Sequence, residues 1–317
     1  MIIIAKDIDG KRSIHMGEAV ADIMPSPLAA PWKVLAHGER HLVIDVDGGL
    51  RWLNETKVYH PFPISITNAV VIKNHLVATW VDHELRLARM AAISLENGFE
   101  EGPRRGDLRA QGNASPLQVA GADWSHTLDS EPVAMACDEE TVYFALWTRG
   151  IYALDVHANE RWRAEIPTFL ALQKRPRSDE LLSLTSDEYL NVWSRGGGLV
   201  RISKETGERI DESDLEIQDH IVQVFKGNGH LLCSANGDIW WHLDETKLMA
   251  KIGEPVRDAV WDQGWKIISW SRDLTFDPIS EYKRKDLPVQ LLKQSHWLVI
   301  DNQNKIDSFL GIEAEEE

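Results

Sequence analysis

Cysteine is scarce in this sequence: Cys137 and Cys233 are the only two in 317 residues, and each sits in an apolar stretch. That excludes a disulfide-stapled scaffold and a cysteine-built metal centre, and two buried free thiols are expected instead. Long hydrophobic runs are missing as well. The opening MIIIA of residues 1–5 meets Lys6 and Asp7 at once, too short for a signal peptide or a membrane span, so a cytoplasmic chain with no membrane partner is expected. Positive charge is in deficit, with 34 Lys and Arg against 50 Asp and Glu and a formal charge of −16. Such a surface repels phosphate backbones, which argues against nucleic acid as a partner of the main surface. Residues 313–317 (EAEEE) read as a solvated tail.

Catalytic signatures are absent too. No CxxC, HExxH, GxxxxGKS/T or GxSxG occurs, and Gly196, Gly197 and Gly198 fall between strand-like segments as a turn. The 12 histidines are scattered, and His37, Glu39 and His41 flank a turn and are not read as ligands. No catalytic residue, metal or cofactor is assigned on this basis. Helical periodicity is nearly missing: residues 85–95 alone pass as an amphipathic helix, and their neighbours point to strand.

What the sequence does have is a 43% hydrophobic composition and a repeated β grammar. A run of β-formers, a short polar turn, a second run and another turn recur at about 40-residue spacing, as the blades of a β-propeller do. Residues 133–166 show it best, with runs at 133–137, 141–147, 151–156 and a polar fourth at 160–166 suited to an outer edge. Residues 221–252 repeat it around Asn236-Gly237, a hairpin signal. Residues 33–59 and 69–95 make two further units. Residues 169–210 give runs at 169–172, 181–184, 189–193 and 199–202 whose allocation to strands stays open. A sixth unit begins at 259–270, is interrupted at 273–295, and resumes at 296–310.

The expectation is a single all-β domain over residues 1–317, a propeller of four-stranded antiparallel blades. Gly- and Pro-rich residues 96–131 and the interruption at 273–295 read as inter-blade insertions. Residues 2–5 and 13–16 look like a hairpin that pairs with the C-terminal strands and closes the ring. The ring has seven blades if that hairpin completes a blade with residues 296–310 and six if it adds one strand, and seven are favoured.

Residues 142–156 (VYFALWTRGIYALDV) resemble the repeat of quinoprotein-like and WD-type propellers, and residues 204–208 (KETGE) echo its Thr-Gly turn. On the quinoprotein side the resemblance implies a periplasmic quinone- and calcium-dependent dehydrogenase, which the missing export signal disfavours. In such a ring, turns from second to third strands and from blade to blade converge on one end of the channel. That end is expected to carry Asp82, His83, Arg149, Asp187, Glu188, Asp238 and Arg272, with Trp80, Trp147 and Trp270 just behind. Asp47, Glu84, Thr148, Asn236, Ser271 and Asp273 complete the ring.

Aromatic residues and Arg together favour protein interfaces, so the leading expectation is a non-catalytic scaffold that binds a protein or peptide there. Bland uses stand beside it: the Trp side chains pack between blades, and the acids cap their own turns. The alternative is a metal-dependent hydrolase or lactonase-like enzyme using Asp82, His83, Asp187, Glu188 and Asp238 around the channel. The sequence leaves the oligomeric state open.

Overall fold

The computed structural model describes residues 28–84, 86–107, 119–276 and 278–311. Their strands fall into seven antiparallel sheets. Blade 1 holds Pro31–His37, Arg40–Asp45 and Leu50–Trp52; blade 2 holds Asn68–Ile72, His75–Asp82, Leu87–Ser94 and Ala122–Leu128. Blade 3 holds Pro132–Cys137, Val142–Leu146, Gly150–Leu154 and Glu160–Ala164; blade 4 holds Leu181–Ser186, Leu190–Ser194, Gly198–Ile202 and Arg209–Asp214. Blade 5 holds Ile221–Gly227, Gly229–Ser234, Asp238–His242 and Thr246–Lys251. Blade 6 holds Val256–Trp261, Trp265–Ser269, Arg272–Phe276 and Ile279–Lys283; blade 7 holds Pro288–Lys293, Trp297–Asp301 and Ile306–Ser308. The first strand of each blade lies against that of the next, and the first strand of blade 7 lies against that of blade 1. The protein is a seven-bladed β-propeller.

Blade geometry explains why the second strands read as unbroken apolar runs. A strand between two neighbouring blades is buried on both faces, so alternate side chains serve opposite seams. Leu42 and Ile44 pack toward blade 2 with Leu76, Ala78 and Trp80, whereas Val43 packs toward blade 7 with Val289 and Leu298. Likewise Tyr143 and Ala145 face blade 4, and Val142, Phe144 and Leu146 face blade 2. Seven apolar clusters fill the seven seams. Each fully buried Val, Leu or Ile there contributes roughly 1.5–3 kcal/mol. Both cysteines are free thiols, Cys233 fully buried and Cys137 half-buried.

The first strands of blades 1, 3, 4, 5, 6 and 7 share a register shift near their starts. The residue after that shift stands at one level around the axis: Lys33, Ala134, Ser183, Gln223, Asp258 and Gln290. Three of them reach the next blade. Asp258 accepts the Leu291 N–H at 2.9 Å, Gln290 exchanges two bonds with the Val34 backbone at 2.7 and 2.6 Å, and Lys33 donates to the Ala69 carbonyl at 2.8 Å. Farther out on the seam between blades 7 and 1, Arg51 donates to Asn304 at 2.6 Å and Asn304 donates to the Ala29 carbonyl at 3.0 Å.

Three sequence expectations change. The interruption at 273–295 is strand: it supplies the outer half of blade 6 and the first strand of blade 7. ISEYK lacks the apolar alternation that marks a strand because it lies at the solvated edge of the blade, and RDLTF carries charges at Arg272 and Asp273 that are paired within the fold. The seventh blade is therefore residues 288–308; the hairpin expected at 2–16 lies outside the described residues. Within 96–131, Ala122–Leu128 is the outer strand of blade 2. Residues 99–102 fold across blade 1, with Phe99 against Trp52 and Tyr59 and with the Gly102 N–H bonded to the His60 carbonyl. Residues 87–94 are strand, as their neighbours implied.

Candidate functional site

In each blade the first strand runs from the upper end to the lower one, so second-to-third turns and blade-to-blade links share the upper end. There the residue that follows the second strand is held by one recurring backbone bond. Its N–H donates to a carbonyl just before the first strand: Val46 to Ala30 at 3.0 Å, Trp147 to Glu131 at 2.8 Å, Arg195 to Glu180 at 2.9 Å, Trp270 to Pro255 at 3.0 Å and Asn302 to Leu287 at 2.9 Å. Three of these five side chains are apolar and lie open to solvent: Val46 at 51%, Trp147 at 53% and Trp270 at 53% exposure. Thr148 adopts a left-handed backbone (φ 56°), and Arg149 closes the turn with a 3.1 Å bond to the Leu146 carbonyl. The indole of Trp147 is thus projected outward by a constrained turn. Trp147 and Arg149 line a cavity of about 430 Å³ between blades 3 and 4, with Val133, Ile166, Asp179 and Leu181.

Other nominated residues have structural tasks. Trp80 is 1% exposed and sits in the seam of blades 1 and 2, edge-on to Phe62 at 5.3 Å, because its strand runs on to Asp82 and keeps the indole inside. Asp82 is buried, accepts the Glu84 N–H at 3.0 Å and lies 3.5 Å from the Arg105 guanidinium; His83 is exposed beside it. Asp238 pairs with Lys251 at 3.0 Å. Arg272 bonds Glu254 at 2.8 Å and Glu281 at 3.1 Å. Burial pushes the Glu254 carboxyl up, but bonds from Ser269, Ser271 and Arg272 outweigh it and hold the carboxyl below its ordinary range. Asp273, expected on the ring, is fully buried against Arg284.

Asp187 and Glu188 lie at the lower end, in the turn between the first and second strands of blade 4. The sequence misplaces them because residues 169–172 read as a strand, whereas Leu170–Leu172 is a 3-10 turn in the link between blades 3 and 4. Counting from 181 as a first strand moves the turn to the opposite end. The proposed catalytic group of Asp82, His83, Asp187, Glu188 and Asp238 is therefore split between two ends. Among the described residues no three His, Cys, Asp or Glu side chains converge as a metal site.

Asp187 accepts the Tyr189 N–H and the Asn191 amide, both at 2.9 Å, so it caps its own turn. It also lies 3.6 Å from His230 across the seam of blades 4 and 5. There Thr185 Oγ1 meets His230 Nε2 at 3.0 Å and the Trp193 indole N–H at 2.9 Å. Burial pushes the His230 pKa down to about 4 against the pull of Asp187.

The lower end also holds a wider cleft that the sequence did not flag. It encloses about 940 Å³ at the channel mouth and is lined in part by Lys73, Cys137, Asp138, Asp187, Lys204 and Lys226. Its lining comes from turns of several blades, so no contiguous segment announces it.

No family model matches the chain, and no curated protein matches it. Solved structures do. The Myceliophthora thermophila Cps50 (Swd1) β-propeller domain has a TM-score of 0.59 at 11% identity, covering 89% of this chain and 95% of that one. The Neurospora crassa Pan2 WD40 domain has a TM-score of 0.58 at 8% identity, covering 88% of each chain. BBS1N in complex with ARL6DN has a TM-score of 0.57 at 11% identity, covering 90% and 92%. At these identities the likeness is one of fold alone, that of a β-propeller.

Proposed function

We propose that this chain is a non-catalytic scaffold that binds a protein or peptide at its upper end, anchored on Trp147 and Trp270. The observation that carries this is the repeated position after the second strand. In blades 1, 3 and 6 it presents Val46, Trp147 and Trp270 to solvent on backbone held by the same bond. Exposed aromatic side chains on backbone that is already held lower the ordering cost of binding, and Trp is among the residues that interface hot spots favour. The propeller neighbours are consistent with this role, since one of them was solved in complex with another protein.

The test is affinity purification of the full chain from its native cell, followed by the recovered partner's affinity for variants. Trp147→Ala and Trp270→Ala are each expected to weaken binding by roughly 30-fold, about 2 kcal/mol. Glu188→Lys, at the other end, is expected to leave it unchanged. A partner that binds both Trp variants as tightly as the parent chain, or the absence of any stoichiometric partner, overturns the reading.

A further inference from the structure

Blades spread apart toward the rim of the ring, so the outer part of a seam is filled best by a large side chain with a polar tip. Blades 2 and 3 meet that need in the same way. Just past the register shift of their outer strands, Trp124 lies opposite Ala92 and Trp162 opposite Ala153. Each indole N–H donates to the next blade, Trp124 to the Val156 carbonyl at 2.8 Å and Trp162 to the Lys204 carbonyl at 2.7 Å. Blade 4 has the same shift, but Asp211 stands in place of the indole and pairs with Arg201 opposite it at 3.1 Å. The seam between blades 4 and 5 lacks that outer seal.

A groove of about 540 Å³ opens on this flank, between the link that follows blade 4 and the outer half of blade 5. Its apolar surface comes from Leu215, Ile217, Trp240 and Leu248. Trp240 and Leu248 are partners across the third and fourth strands of blade 5, and Leu248 is 49% exposed. The carboxylates of the lining are Glu216, Asp219 and Asp238, against one cation, Lys251. Asp238 neutralises Lys251 at 3.0 Å, and among the described residues Glu216 and Asp219 have no ion-pair partner. Arg175 reaches the link only through the Ile217 and Gln218 carbonyls, at 2.7 and 2.8 Å, and with its charge counted the groove is still net negative. The chain leading into it, residues 205–219, holds seven carboxylates and one arginine, so the negative field extends past the walls.

We propose that this flank groove is a second docking surface, which takes a basic segment of a partner protein. An aliphatic side chain of the segment seats among Leu215, Trp240 and Leu248, and flanking Lys or Arg side chains lie against Glu216 and Asp219. Charge complementarity selects that occupant: an acidic segment is repelled, and an uncharged one covers two carboxylates without supplying a counter-charge. The groove shares no lining residue with the cavity beside Trp147, so it stands apart from the upper-end site.

Titration of the full chain at low salt with N-acetyl-Arg-Leu-Arg-Leu-Arg-amide, followed by NMR of the indole and methyl groups, tests this. The shifts are expected to centre on Trp240 and Leu248. The charge-reversed N-acetyl-Glu-Leu-Glu-Leu-Glu-amide is expected not to bind. N-acetyl-Arg-Gly-Arg-Gly-Arg-amide, which lacks the apolar group, is expected to bind about tenfold more weakly or worse. Leu248→Gln, at an exposed position, is expected to weaken the first peptide by a similar factor. Glu216→Gln combined with Asp219→Asn is expected to weaken it several-fold and to flatten its salt dependence. Ile279→Gln, at an exposed apolar position on the outer strand of blade 6, and Trp147→Ala, at the upper end, are expected to leave it unchanged. No binding of the first peptide, shifts spread over the acidic surface without Trp240 and Leu248, or equal binding by the parent and Leu248→Gln overturns the proposal. Binding lost in Trp147→Ala overturns it as well, since the peptide then sits at the upper end.

Discussion

Replacement of Arg284 by Ala examines how the end of the ring is fastened. The guanidinium is 6% exposed and grips the fully buried Asp273 carboxylate through two bonds, Nε to Oδ1 at 2.5 Å and Nη2 to Oδ2 at 2.6 Å. The same guanidinium donates to the Ser308 carbonyl at 2.9 Å, and Asp273 accepts the Leu310 N–H at 2.8 Å. The pair therefore ties blade 6 to the last turn of the described chain. Removal of the arginine leaves a carboxylate enclosed without its cation, at a cost of about 3–5 kcal/mol. At roughly 2–4 °C per kcal/mol for a domain somewhat smaller than this one, the melting temperature is expected to fall by about 6–20 °C. Thermal unfolding at pH 7 by calorimetry reads this directly. The double variant Asp273→Leu with Arg284→Met is expected to recover most of the loss, since it removes both charges at once. A cost below about 1 kcal/mol for Arg284→Ala matches a screened surface pair and refutes the reasoning.

The two classes of Trp separate cleanly by stability. Trp80→Ala is expected to cost about 3–5 kcal/mol in urea unfolding because it empties a seam, and Trp147→Ala less than about 0.5 kcal/mol; equal costs contradict the burial assignments. Acid weakens the seam of blades 4 and 5 through His230, whose folded pKa of about 4 lies below the unfolded value of about 6.5. The folded chain favours the neutral ring, so the contribution of His230 is complete above pH 6.5 and is lost as pH falls toward 4, up to about 3 kcal/mol. His230→Gln is expected to flatten that part of the stability profile, and parallel profiles for the two proteins count against it. Gly102→Ala places a methyl group against the Pro61 carbonyl, and is expected to loosen the crossing over blade 1, seen as faster amide exchange at residues 99–102.

Much of the ring was legible because propeller blades impose a local rule. Residues 133–166 and 221–252 match blades 3 and 5 nearly strand for strand, since both faces of an inner strand must be apolar and the turns between are short and polar. The rule fails at outer strands. RIDESD of blade 4 is exposed along its length, and ISEYK of blade 6 nearly so, so neither carries an apolar signature, and the boundary of blades 6 and 7 vanished with it. The site was partly legible for the same reason: Trp147, Arg149 and Trp270 follow from turn position alone. Trp80 looks identical in sequence, yet two more strand residues keep it inside. The lower cleft assembles from single side chains on blades far apart in the chain, which no linear pattern records.

The bonds between Gln290 and Val34, and from Arg51 to Asn304 to Ala29, fall on the seam that no stretch of described chain crosses. Blade 7 and blade 1 thus recognise each other as two separate pieces would, through side chains gripping a neighbour's main chain. A circularly permuted gene that joins residues 311 and 28 by a linker and opens the chain at the 235–237 turn keeps every one of these grips. Its product is expected to form the same circle, with the covalent gap merely carried to another place on the circumference.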